Sequence, residues 1–232
     1  MFATAARLAI ALGINRDGEW KSESFFTREM RRRLWYTMSQ LDTHLSFDRG
    51  SELILCPKLV PKLPLNTNDK DFGLNTVEHG EAREGFTEMS LALLNFRLQA
   101  IGRSMIQSKD GLDGGARIAT IEEDIKRLLQ DCNPNSSPFA WTTCNASLSI
   151  LAGLKLHMKR PIHPGGQTSR NTNDDSANIL RLAVTFLEHD IMKRTDTRGE
   201  PFRWFGMVQW HPLAVAIAEC YACNGASLLQ HI

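Results

Sequence analysis

The sequence predicts an all-α, multi-helix bundle, and three observations predict it. Apolar residues recur at three- and four-residue steps over most of the chain, no strand-like alternation of useful length appears, and no repeat period is visible. The opening stretch to Gly13 reads as a first helix of the mature fold. Arg7 interrupts its apolar run and no basic segment precedes it, which argues against a signal peptide; Asp17 and Glu19 argue against a transit peptide. Met30, Leu34, Met38, Leu41 and Leu45 form the stripe of a second helix, with Thr27 as its cap and Gly50 as its stop. A long Pro/Asn/Asp-rich loop follows between Ser51 and Gly80, because Pro57, Pro61 and Pro64 and the run from Asn66 to Asp71 favour extended segments and turns.

Phe86, Met89, Leu93, Phe96 and Ala100 restart a helix, and Ile118, Ile121, Ile125, Leu128 and Cys132 give the cleanest stripe in the chain. Trp141 to Met158 carries another helix, ending before Pro161, and the polar stretch Gly165 to Asp175 reads as a flexible surface loop. Leu180, Ala183, Leu187 and Ile191 mark a further helix. Trp204 to Leu229 carries the last apolar one, with Pro212 predicting a kink or a new helix start.

The 232 residues suit a single helical domain over 1–232, and 42% hydrophobic with 23% charged residues is a globular composition. A net charge of +1 supplies no field that would hold a phosphate backbone, and no apolar run approaches the roughly 20 residues that span a bilayer. Sequence-specific DNA binding by this chain and membrane insertion are therefore not expected. Five scattered cysteines, an odd number, argue against a disulfide framework and for a reducing compartment. Cys220-x-x-Cys223 has no second pair to complete a tetrahedral site and reads as small core residues on an apolar helix, so neither metal nor cofactor is expected. Arg31-Arg32-Arg33 reads as a solvated or salt-bridged helix face rather than a nucleic-acid patch, and Gly111 to Gly115 as a plain loop rather than a phosphate cradle.

Several blocks resemble the fungal-specific transcription factor domain, the middle homology region of zinc-binuclear-cluster regulators. They are Ala6 to Asp17, Glu29 to Asp42 with its Arg-Arg-Arg-Leu-Trp core, Leu63 to Asp71, and Phe202 to Glu219 with Trp210-His211. The resemblance implies an all-helical regulatory module in the nucleus, with the cytoplasm as alternative, that contacts protein partners or itself and receives a small hydrophobic effector. Trp35 and Trp210 suit anchoring helix against helix, and Arg32 or Arg33 can grip Asp42 or Asp69 with a bidentate fork. His211 belongs to the same motif set. The family reads DNA through an N-terminal cluster of six cysteines, which five scattered cysteines cannot build. Helices that precede the Ala6 block in the family are not in this sequence, so Phe2, Ala6, Ala9 and Ile10 are expected to present an apolar stripe for association.

The expected function is thus transcription-factor-like regulation, such as that of a biosynthetic gene cluster, through partners or an effector. The alternative is a cofactor-independent isomerase, cyclase or lyase acting on a hydrophobic metabolite, with Asp42, His44, His211 and Glu219 as its proton-transfer groups; His157 is a weaker candidate.

Overall fold

The computed structural model describes residues 2–17, 23–49, 51–55, 60–76, 81–107, 114–160, 173–205 and 210–222. Among them stand α1 (Phe2–Ala11), α2 (Phe25–Arg49), α3 (Ser90–Gln107), α4 (Gly114–Leu128), α5 (Pro138–Lys159), α6 (Asn173–Thr195) and α7 (Trp210–Ala222), with 3-10 segments at Asp69–Asp71 and Thr197–Phe205 and no strand. The all-α expectation holds. Gly50, Gly111 to Asp113, most of the 165–175 loop, Cys56, Cys223 and the end of the last helix lie outside the described residues. Asn173 to Asp175 open α6 instead of closing that loop. The chain divides into two compact units, Met1–Leu112 with Lys126–Asp131, and Asp113–Ile125 with Cys132–Ile232.

In the first unit α1 packs on α2 and α2 on α3. Gly13 ends α1 with a φ of 64°, a left-handed cap that lets Ile14 N–H reach back to the Ala9 carbonyl at 3.0 Å. Ser24, not Thr27, caps α2: its hydroxyl accepts the Thr27 N–H at 3.2 Å, since the helix starts two residues before Thr27. The core here includes Ala6, Ala9, Phe25, Trp35, Tyr36, Leu55, Leu93, Leu94 and Phe96, with the Tyr36 and Phe96 rings 5.2 Å apart. Phe86 and Met89 precede α3 rather than lie within it.

The second unit is a three-helix packing of α5, α6 and α7 with the Thr197–Phe205 segment laid against α5 and α6. Ser137 caps α5 by accepting the Ala140 N–H at 3.1 Å, and Pro138 takes the first helical position, where a missing N–H costs nothing. Leu156, Ile179 and Ala183 form its centre, with Leu182, Val215 and Ala216 packed around them. Pro212 lies in the first turn of α7, so it marks a helix start and not a kink. Most of α4 groups with this unit. Ile121 and Leu128 of its stripe are buried, and Glu122 accepts from Lys155 of α5 at 2.5 Å.

Candidate functional site

The described residues between 51 and 89 have no regular ladder, so their N–H groups need acceptors from elsewhere. Carboxylates on and near α2 supply them. Asp17 accepts the Lys62 N–H at 3.1 Å, Glu29 accepts the Leu65 N–H at 2.9 Å, and Asp42 accepts those of Ile54 and Leu55 at 3.0 and 2.9 Å. Lys62 and Leu65 each follow a proline, Pro61 and Pro64. The Tyr36 hydroxyl donates to the Pro61 carbonyl at 2.9 Å, so α2 serves the loop with donors as well as acceptors.

Arginines neutralise these acids. Arg32 grips Asp17 through two nitrogens, at 3.1 and 2.8 Å to Oδ2, a fork geometry that Lys could not reproduce. Arg33 spans Glu29 at 3.5 Å, Asp69 at 2.7 Å and the Thr67 hydroxyl at 3.4 Å, and its guanidinium lies 4.9 Å over the Phe72 ring. The Arg33–Asp69 pair is one the sequence motifs suggested. Asp42 pairs instead with Arg103 of α3 at 3.1 Å; Arg103 also donates to the Ser39 carbonyl at 3.1 Å, the Thr43 hydroxyl at 3.3 Å and the Leu55 carbonyl. Farther along the loop, Arg83 holds both oxygens of Asp71, which keeps that carboxyl below its usual range, and Asn66 donates to the Arg83 and Gly85 carbonyls at 2.8 Å. Burial raises the pKa of Glu29 against the opposing pull of the Leu65 N–H, Arg33 and Arg32.

This arrangement turns three of the five residues of the stripe read from the sequence outward, while Met38 is buried and Leu45 half-buried. Met30, Leu34 and Leu41 are exposed on the outer face of α2, while Glu29, Ser39, Gln40, Asp42, Thr43 and Ser46 are buried with Trp35 and Met38. The loop, not a second apolar helix face, lies against much of the inner face, and its backbone demands polar partners. Arg31, Arg32 and Arg33 all carry ion pairs, as a salt-bridged face requires.

In the second unit Glu219 of α7 is buried and paired with Arg160, the residue that ends α5. His211 shares a 2.8 Å hydrogen bond between its Nε2 and the Arg160 carbonyl, and its ring meets His157 edge-on at 5.9 Å. Burial lowers the pKa of His211, as it does for His44 on α2. These contacts tie the end of α5 to α7. The four proton-transfer candidates fall in two separate units, Asp42 and His44 in the first, His211 and Glu219 in the second. Both oxygens of Asp42 accept hydrogen bonds from within the fold, and the residue is buried, which commits it to holding Ile54, Leu55 and Arg103.

Other expectations change as well. Trp35 is buried as an anchor should be, but Trp210 is 65% exposed at the first position of α7. Ala6 and Ala9 are buried, so the stripe expected with Phe2 and Ile10 is not open; Leu8 and Leu12, 59% and 63% exposed, and Ile10 are the large apolar side chains that segment leaves open. Cys220 is exposed rather than in the core, and Cys132 and Cys144 are not scattered, as their sulfurs stand 3.3 Å apart. A cleft of about 300 Å³ in the first unit is lined by Phe25, Thr67, Asp71, Phe72, Glu81 and Arg83, a mixed lining rather than the apolar one a hydrophobic metabolite would favour. Sequence reasoning missed Asp17, Glu29 and Arg103 as parts of the frame. For the first two the signal was present in the prolines before Lys62 and Leu65.

No helix among the described residues is long and apolar enough to cross a membrane. No family model matches the chain, and no solved structure matches it. Curated relatives that do match include C6 finger domain transcription factor adaR of Aspergillus niger, 31% identical over all of this chain, and C6 finger domain transcription factors nscR of Arthroderma otae, 37% identical over 99% of it, and of Aspergillus fumigatus, 35% identical over 94%. The chain spans about a third of the length of these relatives. Over essentially its whole length, then, it is similar to one portion of fungal C6 finger transcription factors.

Proposed function

We propose that this chain is a regulatory module of the fungal-specific transcription factor domain type, working in the nucleus through protein contacts and not through base readout of its own. The observation that carries this reading is the end-to-end similarity to C6 finger transcription factors at 31–37% identity. The net charge of +1 supports the second half, because counterion release from a phosphate backbone needs clustered cationic charge and Arg31, Arg32 and Arg33 of α2 are occupied by carboxylates. The frame that locks the 51–89 loop to α2 leaves Leu8 and Leu12 of the α1 segment and Met30, Leu34 and Leu41 of α2 exposed, and these are the side chains offered to a protein partner. The enzyme reading draws no support from Asp42, whose buried carboxylate is engaged by Ile54, Leu55 and Arg103, or from His211, whose described polar contact is the Arg160 carbonyl.

A tethered reporter tests this. Fused to an unrelated DNA-binding domain, the chain is expected to change reporter transcription several-fold over the DNA-binding domain alone, and the double variant Leu8→Glu, Leu12→Glu is expected to lose that change at equal expression. A fusion that leaves transcription at the level of the bare DNA-binding domain would overturn the proposal.

A further inference from the structure

Cys132 and Cys144 are the one pair of described thiols whose sulfurs touch. Cys132 opens the second stretch of the second unit, immediately after the 126–131 stretch of the first, and Cys144 lies on the second turn of α5. Their sulfurs are 3.3 Å apart, the Cys132 thiol also faces the Ala140 carbonyl at 3.8 Å, and both side chains are half-buried, so a small oxidant can reach them. No third His, Cys, Asp or Glu joins them among the described residues, so the pair is short of the four ligands of a structural zinc site. Two thiols in van der Waals contact with no further ligand are suited to two-electron oxidation.

We propose that Cys132 and Cys144 form a reversible intrachain dithiol–disulfide site, oxidised by peroxides or by small disulfides such as oxidised glutathione. With hydrogen peroxide, one cysteine sulfur attacks an oxygen, the O–O bond breaks, and the departing hydroxide takes the thiol proton as water, leaving a sulfenic acid. The second sulfur then attacks the sulfenyl sulfur, the S–O bond breaks, and the second thiol proton leaves with that hydroxide as another water. Two thiols and one peroxide thus give one disulfide and two waters, the thiols having lost two electrons to the O–O bond. With a small disulfide the same two sulfurs act in sequence, through a mixed disulfide, and release two small thiols. Burial and contact with Cys144 push the Cys132 thiol up to about 12, and either sulfur can open the sequence with the other resolving the intermediate. The bond closes the 132–144 loop around the Ser137 cap and fixes the segment that leads into α5 to the second turn of that helix.

The test is thiol mapping on the full chain. Purified protein is treated with hydrogen peroxide, or equilibrated against oxidised and reduced glutathione, then denatured and alkylated. The expected result is loss of two alkylatable thiols, leaving three of the five cysteines, with one linked peptide pair containing Cys132 and Cys144 that dithiothreitol separates. Cys132→Ser and Cys144→Ser are each expected to retain all their thiols, while Cys220→Ser still forms the link. Unchanged alkylation of both residues, a bond from either to another cysteine, chain-to-chain linkage, or sulfinic acid without a link would each overturn the proposal. The wild-type map decides even if a serine variant fails to fold.

Discussion

Glu29 sits without exposed surface between the Leu65 N–H and two arginines, and its burial opposes ionisation more strongly than those partners favour it. A carboxyl whose folded pKa lies above its unfolded value of 4.5 binds its proton more tightly in the folded chain. Its contribution to stability is therefore full below pH 4.5 and is lost as pH rises through the raised folded value. Glu29→Gln keeps an acceptor for Leu65 but cannot titrate. The stability of wild type relative to Glu29→Gln should accordingly fall as pH rises from 4.5 and then level off, as read from urea melts of both proteins across that range. A difference independent of pH would show that the folded chain does not raise this group. The histidines His44 and His211 act in the opposite sense, their lowered values costing stability as pH falls below 6.5, but they are common to both proteins and cancel in the difference. At this scale the sequence revealed some partners and hid others. Arg33 and Asp69 were both legible because they lie in adjacent motif blocks, whereas Asp42 and Arg103 are 61 residues apart and share no local pattern. Ion-pair chemistry can nominate the groups, but only the path of the chain decides which acid meets which base.

The helices themselves were legible from periodicity in nearly every case, yet the orientation of α2 was not. Hydrophobic spacing assumes that the face turned inward meets apolar neighbours. On α2 that face meets a proline-rich loop whose N–H groups demand carboxylates, so Met30, Leu34 and Leu41 were left outside. The turn after α6 shows a different limit, since steric fit leaves no mark in hydrophobic patterning. Gly199 packs so closely that a Cβ there would strike the Lys193 carbonyl oxygen and stand 3.3 Å from the Trp141 ring, over which Arg198 is stacked at 4.7 Å. Gly199→Ala must displace backbone at the end of α6 or the Thr197–Phe205 segment, and we expect a loss of about 1–3 kcal/mol in chemical denaturation, the usual cost of overpacking. Gly73→Ala is the matched control: a Cβ there meets nothing within 4 Å, and the change should stay within about 0.5 kcal/mol. Equal losses at the two positions would contradict the packing described around Trp141.

At the scale of the whole molecule the division into two units has an energetic consequence. The first depends on a buried polar frame around α2, the second on the apolar centre of Leu156, Ile179 and Ala183. Asp42→Ala removes the acceptor of two backbone N–H groups and leaves the Arg103 guanidinium, only 8% exposed, without its carboxylate. Breaking a buried pair by deleting one partner costs about 3–5 kcal/mol, because the surviving charge stays desolvated and unpaired. That loss belongs to the unit holding α1, α2 and α3, and none of the residues it orphans lies in the second. In native-state hydrogen exchange the variant should therefore lose protection by about two orders of magnitude or more at the α2 and α3 amides, since each 1.4 kcal/mol is a factor of ten when exchange follows the opening equilibrium. The α5 and α6 amides near Leu156 and Ala183 should exchange as in wild type. A uniform loss across all the helices would mean that the two units open as one cooperative body, and unchanged protection in α2 would mean that the Asp42–Arg103 frame does not hold the loop to its helix.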